Sequence, residues 1–263
     1  MHELFYRLVK YQSLFEKSLE EREGVAKKIL RYLYIKISSP FGFLFYKNME
    51  PVSCSSLFEN KIVAIVGPAA DLSGQGLGDK IDQADVVVKF NRMIDFDQSQ
   101  EVDYGEKIDI LFHGLLPGGK VGNCGKIEPL RWKKKGLGAV IYPFYLESTG
   151  YCVANYFIKG GATLRTYKLL PEKYYHISDM LKSRPTSGML AIILALKGDA
   201  KRVDVYGFSF FKTQHNSDYF KGKNSLLVDE KKFNHSSDKE FELVERLIKE
   251  SGKLNFVFPN PFS

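Results

Sequence analysis

Six short runs rich in Val, Ile, Leu and aromatic residues punctuate the chain from residue 62 onward, with helix-length stretches between several of them. The runs are IVAIV (62–66), DVVVKF (85–90), KIDILFH (107–113), LGAVIYPF (137–144), RVDVYGF (202–208) and LNFVF (254–258). Near-continuous branched aliphatic residues mark strands buried on both faces. Such strands need helices above and below them and so belong in a mainly parallel sheet. Helical spacing at 126–135, 171–182, 188–197 and 237–250 supplies the crossovers. The pattern predicts an α/β fold, a single Rossmann-like domain over residues 61–263 with a mainly parallel central sheet covered by helices. A chain of 263 residues can bury a core of that size.

Residues 1–60 read differently. Apolar residues recur at helical spacing at Leu4, Phe5, Leu8, Val9 and Tyr11, and again at Ile29, Leu30, Leu33 and Ile35. Lys27, Lys28, Arg31 and Lys36 lie among the second set. An aromatic stretch, SSPFGFLFYK (38–47), follows and is broken by Pro and Gly. Two readings fit this N-terminal helical segment: an amphipathic element in peripheral contact with an anionic membrane, or helices packed on the main domain or on a partner subunit. Lys and Arg total 38 against 31 Asp and Glu, a net charge of +7. That balance suits a nucleic acid, an anionic membrane or an acidic small substrate. No nucleic-acid module is recognisable, so nucleic acid is not an expected partner.

The three cysteines, Cys54, Cys124 and Cys152, form no CxxC pair, which argues against a disulfide framework or a structural zinc site. The opening MHELFYRLVKYQSLFEK lacks the apolar centre of a secretory leader, and no apolar run is long enough to span a bilayer. The expected location is cytoplasmic, peripheral to the inner membrane if the N-terminal segment docks there.

Two separated segments carry the chemistry. In Lys61–Asn91, KIVAIVGPAADLSGQGLGDKIDQADVVVKFN, a buried strand ends at Gly67 and small residues follow, so backbone can approach a ligand closely. The glycines at 67, 74, 76 and 78 do not make GxGxxG, and no Gly-Lys-Ser/Thr follows, so neither dinucleotide nor P-loop signature is met. In Arg184–Phe208, RPTSGMLAIILALKGDAKRVDVYGF, Thr186-Ser187-Gly188 opens an apolar helix. Hydroxyls there either cap free N–H groups or help that N-terminus take an anion. Asp95-Phe96-Asp97 spells DxD, which reads as a solvated loop rather than a metal site. His113 ends the third strand run, where it is either structural or lines a donor or acceptor site.

In order and content these segments resemble the large and small sialylmotifs of glycosyltransferase family 29, the sialyltransferases. VAIVG, GLGDKID and DVVVKFN match the large motif; PTSGMLAIILAL followed by VDVYGF matches the small one. His235-Ser-Ser-Asp-Lys-Glu240 is similar to the family's very small motif, and HNSDYF (215–220) loosely to its His/Tyr-rich one. The resemblance covers roughly residues 61–257. It implies a GT-A-like variant of the α/β fold and inverting transfer of a 2-keto-3-deoxy acid sugar from its cytidine monophosphate (CMP) conjugate to a glycan or glycolipid hydroxyl, with no metal and no other cofactor. By position, Gly67, Pro68, Ala69, Asn91, Thr186, Ser187, Gly188 and Tyr219 would bind the donor nucleotide. His235 would be the general base, Glu240 would tune that imidazole or support the helix start, and His215 would neutralise the departing phosphate.

Three departures stand out. Secretory-pathway relatives join the large and small motifs by a disulfide, and the corresponding positions here, near Val63 and near Gly198–Asp199, are not Cys. No transmembrane anchor or stem is expected either, and Pro68 stands where Asn is common. These point to a bacterial-type cytoplasmic member acting in polysaccharide or lipooligosaccharide synthesis. Sialic acid is the favoured sugar and Kdo, another CMP-carried acid sugar, the alternative. A non-catalytic nucleotide-binding or membrane-associated scaffold is the reading from a different class.

Overall fold

The computed structural model describes residues 25–116, 124–144, 149–210, 213–219 and 235–260. The helical spacing at residues 4–11 and the end of HNSDYF at residue 220 lie outside these. Eight strands form one sheet: β1 (Glu50–Pro51), β2 (Ile62–Val66), β3 (Val86–Phe90), β4 (Ile110–Phe112), β5 (Ala139–Tyr142), β6 (Arg165–Lys168), β7 (Arg202–Tyr206) and β8 (Leu254–Phe258). Their order is β1-β6-β5-β4-β3-β2-β7-β8, and every neighbouring pair is parallel. The parallel α/β architecture expected from the Val/Ile runs is therefore present.

Alternation along β4 and β5 shows how both faces are covered. Ile110, Phe112, Ala139 and Ile141 enter the larger core, which also holds Met189–Ala195 of helix α8 (Ser187–Lys197). Leu111, Val140 and Tyr142 enter a second core with Trp132, with Cys152, Val153 and Tyr156 of helix α6 (Thr149–Ile158), and with Tyr46 of helix α1 (Val25–Asn48). The remaining helices are α2 (Cys54–Phe58), α3 (Gly78–Asp82), α4 (Gln98–Tyr104), α5 (Pro129–Lys134), α7 (Pro171–Leu181) and α9 (Ser237–Ser251).

The stretch 38–47 is not a break: α1 runs unbroken through Pro40 and Gly42. Pro40 is exposed, and its ring removes one helix N–H without ending α1. Gly42 faces Gly150, and a Cβ on it would overlap the Gly150 carbonyl, so the two helices cross at backbone contact. Lys168 caps the end of α1 by donating to the carbonyls of Tyr46 and Lys47, both at 2.8 Å. Together with β1, which pairs with β6, this packs the second half of α1 and the residues after it onto the α/β domain.

Where a disulfide would join the two motif segments, main-chain bonds do so: Asn60 N–H to the Asp199 carbonyl at 3.0 Å, and Lys201 N–H to the Lys61 carbonyl at 2.9 Å. All three cysteines are free thiols.

Candidate active site

β2 lies between β3 and β7, so the connections after β2 and β7 leave in opposite directions and open a crevice at the carboxyl ends of the strands. The first residues past the four adjacent strands β4, β3, β2 and β7 are His113, Asn91, Gly67 and Gly207. The parallel sheet thus places Gly67 and Asn91 of the large motif at the same end of the strands as Gly207, which follows the small-motif strand.

Gly67 and Gly207 meet back to back. A Cβ on either would overlap the carbonyl oxygen of the other, and Gly207 has φ +66°. Gly188, at the start of α8, has no room either, because a Cβ there would overlap the Phe208 ring that also covers Gly67. Phe208 packs edge-on against Phe90 of β3 with ring centroids 5.9 Å apart. Gly67, Gly188 and Gly207 are required by contact between the motifs, with Phe208 as the wedge between them.

Asn91 is buried with φ +46°, a left-handed conformation that Asn tolerates better than most residues. Its amide nitrogen donates to the Tyr219 hydroxyl at 3.2 Å, and its carbonyl accepts from Gly114 N–H at 3.1 Å. The pair expected at the donor is therefore joined directly.

Segment 214–219 lies along the loop after β2. Ala70 N–H donates to the Gln214 carbonyl at 2.8 Å, Asn216 N–H donates to the Pro68 carbonyl at 2.7 Å, and Ala69 forms an antiparallel bridge with His215. His215 lies 5.5 Å from the Tyr219 ring, centroid to centroid. Burial lowers the His215 pKa below its usual value.

Side chains not singled out from the sequence hold this segment in place. The Asn216 amide donates to the hydroxyls of Ser73 and Tyr104, each at 3.3 Å, while its oxygen accepts from Asp218 N–H at 2.8 Å. Tyr104 donates to the Ala69 carbonyl at 2.8 Å. Gln100, one turn earlier on α4, donates to Asp218 at 2.6 Å. The sequence signal was slight: a capping box at Asp97 and Gln100 announces α4 but not its role as a buttress.

His235 and Glu240 both attach to the start of α8. The His235 ring meets the Arg184 carbonyl through Nδ1 at 2.7 Å. A carbonyl only accepts, so Nδ1 carries the proton and the neutral ring has its lone pair on Nε2. Burial lowers the His235 pKa, partly offset by this bond. Glu240, on the first turn of α9, is 4% exposed and accepts from Thr186 twice, from N–H at 2.6 Å and from the hydroxyl at 2.8 Å. Thr186 Oγ1 in turn accepts from Met189 N–H at 3.1 Å and caps α8. Of the two roles open to Glu240, its hydrogen bonds fit support of the helix start. Burial pushes its carboxyl up to about 7, against the lowering effect of the Thr186 bonds.

His113 is fully buried against Trp132, with ring centroids 5.0 Å apart. Nε2 donates to the Cys124 carbonyl at 2.7 Å and Nδ1 accepts from Leu115 N–H at 2.9 Å. Burial lowers its pKa to about 4, so it is neutral with both nitrogens engaged, the structural alternative for this residue. The DxD carboxylates are also engaged. Asp95 binds Arg131 at 2.9 Å, and Asp97 caps α4 by accepting from Ser99. Among the described residues no three His, Cys, Asp or Glu side chains converge as a metal site, and no helix is long and apolar enough to cross a membrane.

A family model described as glycosyltransferase family 29 (sialyltransferase) matches residues 164–252, from β6 to the end of α9. Among solved structures, a mammalian sialyltransferase in complex with Gal-beta-1-3GalNAc-ortho-nitrophenol superposes with TM-score 0.53 at 17% identity, over 97% of this chain and 86% of that one. Another mammalian sialyltransferase structure gives 0.50 at 19% identity, over 75% and 68%. An alpha-2,3-sialyltransferase from Campylobacter jejuni in apo form gives 0.46 at 16% identity, over 81% and 80%. A search of curated proteins finds no significant match. The resemblance read from the motifs is thus supported by an independent match to the family 29 model over the small-motif half, and the fold of the whole sheet is similar to that of the mammalian sialyltransferase structures.

Proposed function

We propose that the protein transfers a 2-keto-3-deoxy acid sugar, with sialic acid the favoured one, from its CMP conjugate to a glycan hydroxyl with inversion, His235 acting as general base. The observation that carries this reading is the attachment of His235 to the Arg184 carbonyl, beside the capped start of α8. That bond fixes the tautomer with Nε2 basic, and the lowered pKa keeps the ring neutral through neutral pH, as a base must be.

The division of labour follows from the chemistry. A nucleotide phosphate leaves readily, so the protein has to position the acceptor hydroxyl, take its proton and receive the negative charge. Asn91 and Tyr219 hold the ribose or phosphate, beside the Gly67-Pro68-Ala69 turn. Thr186, Ser187 and Gly188 bind the donor at the start of α8, where N–H groups and the helix dipole favour an anion. His215 neutralises the departing phosphate. Burial lowers its pKa when the pocket is empty, and an adjacent phosphate dianion would reverse that shift by charge. Inversion requires attack from the face opposite the phosphate, which separates the work of His235 from that of His215.

No metal takes part in this reading, because the only DxD in the chain has Asp95 occupied by Arg131 and Asp97 occupied by capping. Activity unchanged by chelation is expected. The acceptor is a glycan, and a galactose-terminated disaccharide of the type bound by the mammalian relative is a suitable first probe.

The test is hydrolysis and transfer with CMP-sialic acid and with CMP-Kdo. Turnover of the first supports the reading, turnover of the second alone replaces the sugar, and turnover of neither sinks the donor class. CMP binding with transfer indifferent to His235→Ala would favour the non-catalytic scaffold instead.

A further inference from the structure

Among the described residues, one face of α1 has no partner within the fold. Ile29, Leu33, Ile37 and Leu44 recur at the spacing of a single helical stripe and are exposed by 54%, 47%, 45% and 58%. Lys36 and Lys47 are exposed on the same stripe. The opposite side of the helix carries Gly42 and Tyr46 and is the one packed on α6 and β5. The stripe is therefore not a core surface turned outward by accident of register. It is the second face of a helix whose first face is already used.

Charge narrows what could cover it. Val25–Asn48 contains Lys27, Lys28, Arg31, Lys36 and Lys47 and no Asp or Glu. A second copy of this chain would bring that same charge against itself, whereas an anionic lipid surface would complement it. Lysines on an apolar stripe suit a lipid interface, since their stems lie on the apolar surface while the ammonium groups reach the phosphates.

The direction of α1 relates this face to the active site. Ser39 and Gly42 lie against Gly150, at the start of α6, and Phe45 stacks on Phe157 near its end with centroids 5.0 Å apart. The two helices therefore run in the same general direction. Because α6 starts at the carboxyl end of β5, the first turns of α1 extend past the strand ends that hold the crevice.

We propose that the Ile29–Leu33–Ile37–Leu44 face of α1 docks on an anionic membrane surface and so holds the crevice near acceptors carried on that membrane. The proposal goes beyond the transferase reading, and its test reads binding rather than turnover.

The full chain is sedimented with vesicles of phosphatidylglycerol and phosphatidylethanolamine, and in parallel with phosphatidylcholine alone. Binding is expected to the anionic vesicles, to weaken with salt, and to fall about tenfold in the Leu33→Glu/Ile37→Glu variant. CMP binding and thermal midpoint should be unchanged, because both positions are exposed and outside the site. If that variant fails to fold, Lys36→Glu/Lys47→Glu removes the charge while sparing the apolar contacts and should weaken binding comparably. Absence of binding, equal binding to both vesicle types, or binding indifferent to these substitutions overturns the proposal. So does a concentration-dependent dimer that the substitutions abolish while vesicle binding is absent, which would assign the face to a second copy.

Discussion

Glu240 holds Thr186 at two points, accepting from its N–H at 2.6 Å and from its hydroxyl at 2.8 Å. The first turn of α9 and the cap of α8 are thereby one unit, although 54 positions separate the two residues. Glu240→Ala should cost about 2 kcal/mol, because it leaves the N–H and hydroxyl of Thr186 without their acceptors. The pH dependence has a definite sign. A carboxyl raised from 4.5 to about 7 binds its proton more tightly in the folded state. Its contribution to stability is thus fully present below 4.5 and declines as pH rises towards 7. Chemical denaturation at pH 5 and pH 8 should show wild type losing stability relative to Glu240→Gln at the higher pH. An equal difference at both values would mean that no raised carboxyl is present.

His235→Ala should lower transfer by about 10²–10⁴-fold. CMP affinity should change little, because the residue is assigned to the acceptor hydroxyl. The wild-type rate should fall on the acid side only below pH 6.5, since burial holds the imidazole pKa under that value. An acid limb above 6.5, or CMP affinity falling in step with the rate, would contradict the base assignment.

Asn216 touches neither proposed base nor Asn91, yet it anchors the segment that carries His215 and Tyr219. Asn216→Ala and Tyr104→Phe should each reduce kcat/KM about tenfold, with stability costs near 1 kcal/mol. The informative readout is the split between kcat and donor KM. A purely structural role would lower the amount of folded enzyme and leave both parameters of the folded fraction unchanged.

Gly188→Ala should destabilise the fold by about 1–3 kcal/mol through overlap with Phe208. Phe208→Leu should recover part of that loss when the two are combined. The coupling energy of the double-mutant cycle measures it, and strict additivity would show that the ring is not the obstacle.

Much of the sheet was legible because β2, β3 and β7 are buried along nearly their whole length and carry Val or Ile at most or at alternate positions, which the runs at 62–66, 85–90 and 202–208 announce. β6 was not, since Arg165-Thr-Tyr-Lys168 contains no Val, Ile or Leu and only its last two residues are buried. Helix α6 also escaped, because its residues Thr149–Tyr156 are almost all buried and give no amphipathic period. Pro40 and Gly42 signal a break by local rules, and tertiary contact with Gly150 overrides them.

Motif order singled out residues that meet in the fold: Gly67 and Gly188 share the Phe208 ring, and His235 and Glu240 bond Arg184 and Thr186 before α8. Spacing placed Gln100 in a capping box and Asn216 inside HNSDYF, but gave neither of them, nor Tyr104, a role as a buttress. Amides and hydroxyls become informative only once the fold decides which of them meet.

The pairing of Ile62 with Arg202 brings strands from distant parts of the chain side by side, and the crevice opens where they end. No local folding unit contains the pocket, so it exists only when the long-range pairing exists. Nucleotide binding should therefore raise the free energy of global unfolding by mass action and protect amides of β2 and β7 together. Loss of that pairing would abolish affinity at a single step. Ligand saturation and cooperativity of the whole domain are two readings of one equilibrium.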